Sequence, residues 1–227
     1  MNGRTPLTLP DAAPLAVPSA FPTWLDEAGV SLEPAALAQV ASYLRRLLSM
    51  NEQMNLTAVR SEVDVWERHA LDGLTLLPLL RNVPAGARLV DVGSGSGVPG
   101  ILLAIARPDL HVALVEATQK KAAFLAAVSL ALSLENVEVY PERAEHLGAG
   151  ALAKRFDIVV ARAVARLPML LQWTLPFVKS PGRLLFIKGK QAAEELREAS
   201  STLKKRRIVA SPLKVTRTGT LIELSVP

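Results

Sequence analysis

The chain has 227 residues, half of them hydrophobic, which allows one well-buried core and excludes a disordered protein. It has no cysteine, so disulfides, iron–sulfur clusters and a cysteine nucleophile are excluded. Its three histidines lie far apart, and we expect no metal site. No run approaches the ~18 apolar residues of a membrane span, and no signal peptide is recognisable. We therefore expect a cytoplasmic protein that does not bind a membrane.

The formal net charge of +5 is unevenly distributed. Residues 1–119 carry 8 basic and 12 acidic side chains, whereas residues 120–227 carry 18 basic and 9 acidic ones. Residues 179–217 alone hold eleven basic and three acidic residues. Such a density suits RNA phosphates, and a solvated basic helix is the other interpretation. Because only 4% of the residues are aromatic, we expect backbone and shape recognition of a folded RNA rather than extensive base stacking.

Three segments follow one another along the chain. Residues 1–22 contain five regularly spaced prolines and predict a mobile arm without a helix. Residues 23–84 predict a helical N-terminal extension. Within it, apolar residues recur every three or four positions over 37–48, and a second helix is predicted over 63–80. Residues 85–227 form the third segment, in which short apolar runs alternate with helical stretches.

The alternation in the third segment predicts an α/β fold. Helices separate the strands along most of this segment, but the last two strands follow each other directly. We therefore expect a mostly parallel, seven-stranded sheet covered on both faces, with the last strand antiparallel. The predicted strands are 89–92, 111–116, 137–140, 156–161, 183–188, 208–215 and 218–226.

The first of these strands leads into a glycine-rich loop before a helix. Glycine permits positive φ and lets a ligand approach the main chain, and the following helix N-terminus offers free N–H groups. Residues 95–100 match a dinucleotide fingerprint, but the carboxylate of Asp91 would repel a pyrophosphate. Glu116 ends the second strand, where a carboxylate can bind ribose hydroxyls. Two acids around a glycine loop favour S-adenosylmethionine, which has an amine, a sulfonium and a ribose but no phosphate; a dinucleotide or a turn without ligand are the alternatives.

Five stretches of the sequence form a recognisable set: NEQMNLT at 51–57, ERHALD at 67–72, DVGSGSGVPG at 91–100, FDIVVARA at 156–163 and Lys188-Gly189. The glycine loop alone indicates only a class I S-adenosylmethionine-dependent methyltransferase with a Rossmann-like fold. Together the five stretches resemble the glucose-inhibited division protein B family, the bacterial 16S ribosomal RNA guanine-N7 methyltransferases. The resemblance runs from about Leu25 to the end of the sequence, and one departure is Gly73, where the family usually has Ser.

The cofactor site is predicted partly from the residues and partly from the resemblance. Asp91 and Glu116 follow from the chemistry of the ligand. The resemblance implies that Gly93, Val98 and Arg162 contact the cofactor and that Ala144 and Glu145 surround its adenine. A solvated helix carboxylate and a surface cation are the alternatives for Glu145 and Arg162. The predicted cofactor residues are Asp91, Gly93, Ser94, Gly95, Val98, Glu116, Ala144, Glu145 and Arg162.

A second set of residues is predicted to hold the RNA, which we expect to be 16S ribosomal RNA or the small ribosomal subunit. For His69 a packing role, and for Asn55 a cap or turn role, are the alternatives. The predicted RNA-binding residues are Asn55, Arg68, His69, Asp72, Arg166 and Lys188.

The resemblance implies transfer of a methyl group from S-adenosylmethionine to N7 of a specific guanine. This nitrogen has an in-plane lone pair and no proton, so catalysis needs orientation rather than a general base, and we assign no catalytic residue. Methylation of another RNA or of a small metabolite, and RNA binding without catalysis, are the alternatives. We expect the enzyme to be a monomer.

Overall fold

The computed structural model describes residues 7–227, which form one mixed sheet covered by helices. The strand order is β3-β2-β1-β4-β5-β8, and the next edge position is shared by β6 and β7. The first five strands are parallel and β8 is antiparallel to β5, as predicted. The strands are β1 Arg88–Val92, β2 His111–Val115, β3 Val137–Tyr140, β4 Phe156–Arg162, β5 Val178–Lys188, β6 Val209–Ala210, β7 Lys214–Val215 and β8 Thr220–Val226.

Ten α-helical segments accompany the strands in the described chain. A π-helical turn, Trp66–Leu71, joins α3 to α4, and a 3-10 turn, Leu77–Leu80, precedes β1. None of these helices combines the length and apolar character that a membrane span needs. The helices are α1 Phe21–Ala28, α2 Pro34–Met54, α3 Glu62–Val65, α4 Asp72–Leu74, α5 Gly100–Ala106, α6 Gln119–Ala131, α7 Ala144–Ala149, α8 Leu167–Thr174, α9 Ala192–Glu198 and α10 Ser200–Arg206.

Two apolar clusters lie on opposite faces of the sheet. One joins the N-terminal helices, α5 and α6 to the sheet, and the other lies under α7 to α10. Alternation along β1 connects them, because Leu89 belongs to the first cluster and Val90 to the second. Asp91 therefore points to the face that α2 and α5 cover.

The segment before α1 differs from the predicted mobile arm. Residues 7–20 carry no helix or strand, yet they pack along α2. Leu15 is buried and its N–H donates to the Ala41 carbonyl at 3.2 Å, while Arg45 Nε donates to the Ala13 carbonyl at 3.1 Å. An apolar side chain at position 15 was the signal for this packing. Residues 1–6 of the predicted arm lie outside the described residues.

The helix predicted over 63–80 is present in a modified form. It begins after Ser61, whose hydroxyl accepts the Asp64 N–H at 3.3 Å, and it ends at Leu74. The Trp66 ring lies 4.7 Å from that of Phe21, which anchors the π-helical turn to α1. π-Helical turns inside α-helices often occur at functional sites. This one carries three predicted RNA-binding residues at or next to it: Arg68, His69 and Asp72.

Candidate active site

A crevice of about 410 Å³ opens at the carboxyl ends of β1, β2 and β4. This is the edge at which open α/β sheets bind their ligands. Residues of the glycine loop form its floor, Glu116 lies at the end of β2, and Arg162 lies at the end of β4. The volume lies in the range of pockets for small molecules, which is roughly 300–1,000 Å³.

The glycine loop needs glycine for its conformation and for close packing. Gly93 has φ +74°, and a Cβ there would lie 2.9 Å from Cγ2 of Val164, another crevice residue. A Cβ on Gly100 would lie 2.3 Å from Cδ2 of Leu114. Gly95 also has positive φ. Gly93 and Gly95 thus leave the main chain of the loop uncovered at the crevice, whereas Gly100 allows the start of α5 to pack closely on β1 and β2.

Asp91 lies behind this loop rather than on the crevice wall. Its side chain is fully buried, Oδ2 accepts the Gly100 N–H at 2.9 Å, and Oδ1 has no hydrogen-bond partner among residues 7–227. Burial raises its pKa to about 7, although the Gly100 hydrogen bond and Arg162 act in the opposite direction. The sequence placed this carboxylate at the mouth of the loop, but alternation along β1 turns it inward. Its visible contact is with the first residue of α5.

Glu116 lies on the crevice wall and holds the loop. Its Oε2 accepts the Gly95 N–H at 2.9 Å and its Oε1 accepts the Thr118 N–H at 2.7 Å. Both oxygens retain acceptor capacity, because a carboxylate can accept about four hydrogen bonds. The backbone amides therefore fix the carboxylate in one orientation before any ligand binds.

The remaining predicted cofactor residues line the same crevice. Ser94 donates its hydroxyl to the Asp91 carbonyl at 2.9 Å, and Val98 is buried beneath the loop. Ala144 and Glu145 form the first turn of α7 across the crevice, with Glu145 exposed at the rim. Eight of the nine predicted cofactor residues thus line one crevice, and Asp91 is the exception.

Arg162 connects this crevice to the N-terminal helices. Its guanidinium donates to the Arg68 carbonyl at 2.8 Å and to Asp72 Oδ2 at 3.0 Å, and it lies 3.3 Å from His69 Nδ1. The other Asp72 oxygen accepts the Thr218 hydroxyl at 2.5 Å. Residues 68–72 therefore hold the arginine side chain at the crevice, and Thr218, distant in sequence, holds Asp72 in turn.

His69 is a buried member of the same network. Its Nε2 lies 2.6 Å from the Thr57 hydroxyl, and its Nδ1 lies 2.9 Å from the Arg68 carbonyl. Burial lowers its pKa to about 4, and the charge of Arg162 acts in the same direction. The ring is therefore neutral at pH 7, which favours the packing and orienting interpretation over contact with phosphate.

Asn55 and Arg68 are exposed and lie next to crevice residues. Asn55 ends α2 in the left-handed conformation, with φ +51°, and its neighbour Leu56 lines the crevice. Arg68 supplies the carbonyl that Arg162 contacts. The cap role considered for Asn55 is present, and its side chain faces solvent.

Arg166 and Lys188 both pair with acids of α9. Arg166 is exposed and pairs with Glu198 at 2.5 Å and Glu194 at 3.4 Å outside the crevice, so its contact with RNA stays a prediction. The Lys188 side chain is only 6% exposed; it pairs with Glu195 at 2.7 Å and also donates to the Ala165 carbonyl. The sequence contains both these cations and the acids of α9, but it does not show that they pair.

The crevice is also lined by residues that were not assigned to the cofactor site from the sequence. Among them are Trp173 on α8, Lys121 on α6 and Arg143 immediately before α7. The apolar period of α8 gave a signal for packing only, so Trp173 was missed. Tyr43, buried on α2, was also missed; its hydroxyl donates to the Ser96 carbonyl at 2.9 Å and braces the loop from behind.

The chain is similar to proteins of known class. The sequence model of a family described as "GidB: rRNA small subunit methyltransferase G" matches residues 36–221. A ribosomal RNA small subunit methyltransferase G of Sorangium cellulosum is 55% identical over 221 residues, which covers 97% of this chain and 92% of that protein. The protein with the same description from Moorella thermoacetica is 36% identical over 178 residues, covering 78% and 74%.

Solved structures share the fold at low sequence identity. The O-methyltransferase of Bacillus cereus in complex with SAH has a TM-score of 0.59 at 16% identity, covering 91% of this chain and all of that one. A SAM-dependent O-methyltransferase from Thermotoga maritima has a TM-score of 0.53 at 18% identity, covering 79% and 71%. At these identities the similarity shows the architecture alone.

Proposed function

Because the chain belongs to the rRNA small subunit methyltransferase G family, we propose that its crevice holds S-adenosylmethionine beside N7 of a guanine in 16S ribosomal RNA. Family membership confirms the predicted family, the enzyme class, the guanine-N7 methylation of 16S ribosomal RNA and the cofactor. The predicted fold is confirmed as well. The assignment of roles to individual residues is our proposal, and the observation that carries it is the crevice where Glu116, the glycine loop and Arg162 meet.

The residues present fit the cofactor. When bound, S-adenosylmethionine supplies a methyl group on a cationic sulfonium. Glu116, already oriented by two N–H donors, has the remaining acceptor capacity to bind both ribose hydroxyls. Ala144 and Glu145 present the first turn of α7 to the adenine, with Trp173 as an apolar wall. The unpaired Oδ1 of Asp91 adds negative potential behind the loop, where a nearby cation would favour the charged carboxylate.

The chain's own residues account for catalysis without a proton-transfer group. Guanine N7 needs no base, and the neutral His69, engaged at both ring nitrogens, does not supply one. Arg162 is held by three contacts, so it can fix a ligand or a base without reorganising. Its pairing with Asp72 offsets a positive charge that would oppose the cationic product. Rate enhancement then comes from holding the base and the methyl group in line within the crevice.

We place the entering RNA at the rim formed by Asn55 and Arg68. Both side chains are exposed, and each is adjacent to a residue that forms the crevice or fixes Arg162. Arg68 offers a guanidinium for phosphate and Asn55 an amide for a base or ribose. We propose that His69 and Asp72 position Arg162 from behind and do not contact the RNA.

The activity is tested with labelled S-adenosylmethionine and small ribosomal subunits from cells that lack this methylation. We expect N7-methylguanine at one position, mapped by chain scission after reduction. Absence of N7-methylguanine, or turnover on small molecules without RNA, would contradict the proposal.

The site assignment is tested by Glu116→Ala against Glu135→Gln. Glu135 is an exposed acid before β3, away from the crevice, so its variant controls for the loss of one negative charge. We expect Glu116→Ala to raise the KM for S-adenosylmethionine at least ten-fold, because both the ribose acceptor and the brace of the loop are lost. Equal KM values in the two variants would remove Glu116 from the cofactor site.

The substrate form, the monomeric state and the cytoplasmic location stay predictions. Gel filtration with light scattering tests the monomer, and comparison of naked 16S ribosomal RNA with assembled subunits identifies the substrate form. We expect the assembled subunit to be preferred, because a chain with so few aromatic residues recognises a folded shape better than splayed bases.

A further inference from the structure

The basic run 204–207 lies near the amino ends of the parallel strands, whereas the crevice lies at their carboxyl ends. Val209, two residues beyond it, pairs with Ser225, and Ser225 pairs with Arg183. Arg183 in turn pairs with Ile158, near the beginning of β4, whereas the crevice lies at the end of β4. The seven residues of β4 span roughly 20 Å at about 3.3 Å per residue, and this distance separates the two edges.

Six cations form this surface, which we call the distal basic surface. All are exposed, and none of them forms an ion pair within 4.0 Å among residues 7–227. Burial and the nearby charge of Arg206 both lower the pKa of Lys154, so the cations are close enough to repel one another. The members are Lys154, Arg155, Lys204, Lys205, Arg206 and Arg207.

Helix capping does not account for this charge. Cations in the last turn of α10 favour the helix dipole, but the effect is worth roughly 0.3–1 kcal/mol and falls off within that turn. Four consecutive cations exceed that need, and Lys154 and Arg155 belong to a different segment, before β4. Six other cations of residues 120–227 pair with acids, as Lys179 does with Asp157 at 2.8 Å. Of the twelve that have no such pair among residues 7–227, six belong to this surface.

We propose that the distal basic surface binds the phosphate backbone of the ribosomal RNA, at a place about 20 Å along the sheet from the crevice. This inference rests on the proposed function for the identity of the RNA. The six members are exposed lysines and arginines without acid partners among residues 7–227, so the contact reads phosphate and shape and not sequence. A structured RNA that occupies the crevice and this surface together holds the enzyme in one orientation on the particle.

The test compares a full-length variant that loses four positive charges with a full-length control that keeps all four. One is Lys204→Gln/Lys205→Gln/Arg206→Gln/Arg207→Gln, and the matched control is Lys204→Arg/Lys205→Arg/Arg206→Lys/Arg207→Lys. The dissociation constant for small ribosomal subunits is measured from about 50 to about 200 mM salt, where phosphate contacts change affinity most clearly. For the glutamine variant we expect the slope of log Kd against log salt to fall by about 2 to 4, and Kd at about 100 mM salt to rise at least ten-fold. The control variant should match the wild type.

Binding of S-adenosylmethionine is measured in parallel and should be unchanged in both variants, which shows that the crevice is folded. A milder variant, Lys154→Gln/Arg155→Gln, should lower the slope by about 1 to 2 in the same direction. An unchanged slope and Kd in the glutamine variants overturns the proposal, as does a loss of binding to anionic phosphatidylserine vesicles with RNA binding intact. A changed slope with no methylation by the wild type would instead refute the proposed function and leave this surface standing.

Discussion

Replacing Lys188 by methionine should destabilise the fold without weakening the contact with RNA. The ammonium group is buried between the Glu195 carboxylate at 2.7 Å and the Ala165 carbonyl, at the end of β5. Methionine keeps the length of the side chain but removes the charge. It leaves the Glu195 carboxylate, which is only 8% exposed, without its cation.

Loss of one partner from a buried ion pair typically costs about 3–5 kcal/mol. Glu195 keeps one hydrogen bond, from the Leu167 N–H at 2.8 Å, so we expect the lower end, about 3 kcal/mol. For a chain of this length each kcal/mol lowers Tm by roughly 2–4 °C, which gives a decrease of about 6–12 °C. Because the group is buried, the salt dependence of RNA binding should not change.

The assay is thermal and urea denaturation of Lys188→Met beside Lys190→Met. Lys190 lies two residues away and is exposed, so its variant should change stability by less than about 0.5 kcal/mol. The double variant Lys188→Met/Glu195→Leu should recover much of the loss, since it removes both charges. If Lys188→Met has the same Tm as the wild type but binds RNA more weakly, the ion pair does not stabilise the fold, and the RNA-binding role predicted from the sequence is supported.

Three other outcomes follow from the site. Because His69 has a pKa of about 4 in the folded state and about 6.5 when unfolded, its stabilisation is present above pH 6.5 and lost as pH falls towards 4. The free energy of unfolding, measured by urea denaturation from pH 8 to pH 5, should decrease by up to about 1.4 kcal/mol per pH unit below pH 6.5, and His69→Asn should flatten this part of the profile. Thr218→Val should cost about 1–3 kcal/mol and lower kcat, since it leaves an oxygen of the buried Asp72 without its donor, whereas Thr218→Ser should restore both; unchanged kcat in the valine variant would exclude this hydroxyl from positioning the arginine. Gly93→Ala and Gly86→Ala both place alanine at similar positive φ, about 1 kcal/mol of strain each, but only the first meets a side chain, so only Gly93→Ala should weaken S-adenosylmethionine binding, as measured by calorimetry.

The sequence predicted the sheet because its strands are continuous apolar runs that only a double-sided sheet can bury. The crevice was also predictable from local sequence, because the glycine loop and Glu116 directly follow the ends of two predicted strands. The predicted sixth strand, over 208–215, was less well determined. It is two short pairings on β8, separated by residues 211–213, because an edge position tolerates interruption.

What the sequence could not predict is pairing between distant residues. Thr218 contacts Asp72, which lies 146 positions earlier in the sequence, and neither residue type by itself indicates which residue it will contact. Charged residues were the least informative for predicting the site. The sequence does not distinguish a lysine that faces solvent, as Lys190 does, from one that faces a buried acid, as Lys188 does. The location of the basic run likewise depends on the direction of α10, which composition does not record.

The position of β8 has a consequence for the order in which this protein can be built. The strand is the last of the eight along the chain, yet it lies inside the sheet, between β5 and the short edge strands. During synthesis the backbone groups on one side of β5, a strand with apolar residues such as Leu184 and Phe186, therefore stay unpaired until residues 220–226 have been made. The turn that leads into β8 also delivers Thr218 to Asp72. Residues 218–226 thus complete the sheet and the hydrogen bonds of Asp72 together. A chain that stopped before them would leave β5 unpaired on that side and one oxygen of Asp72, the partner of Arg162, without its donor.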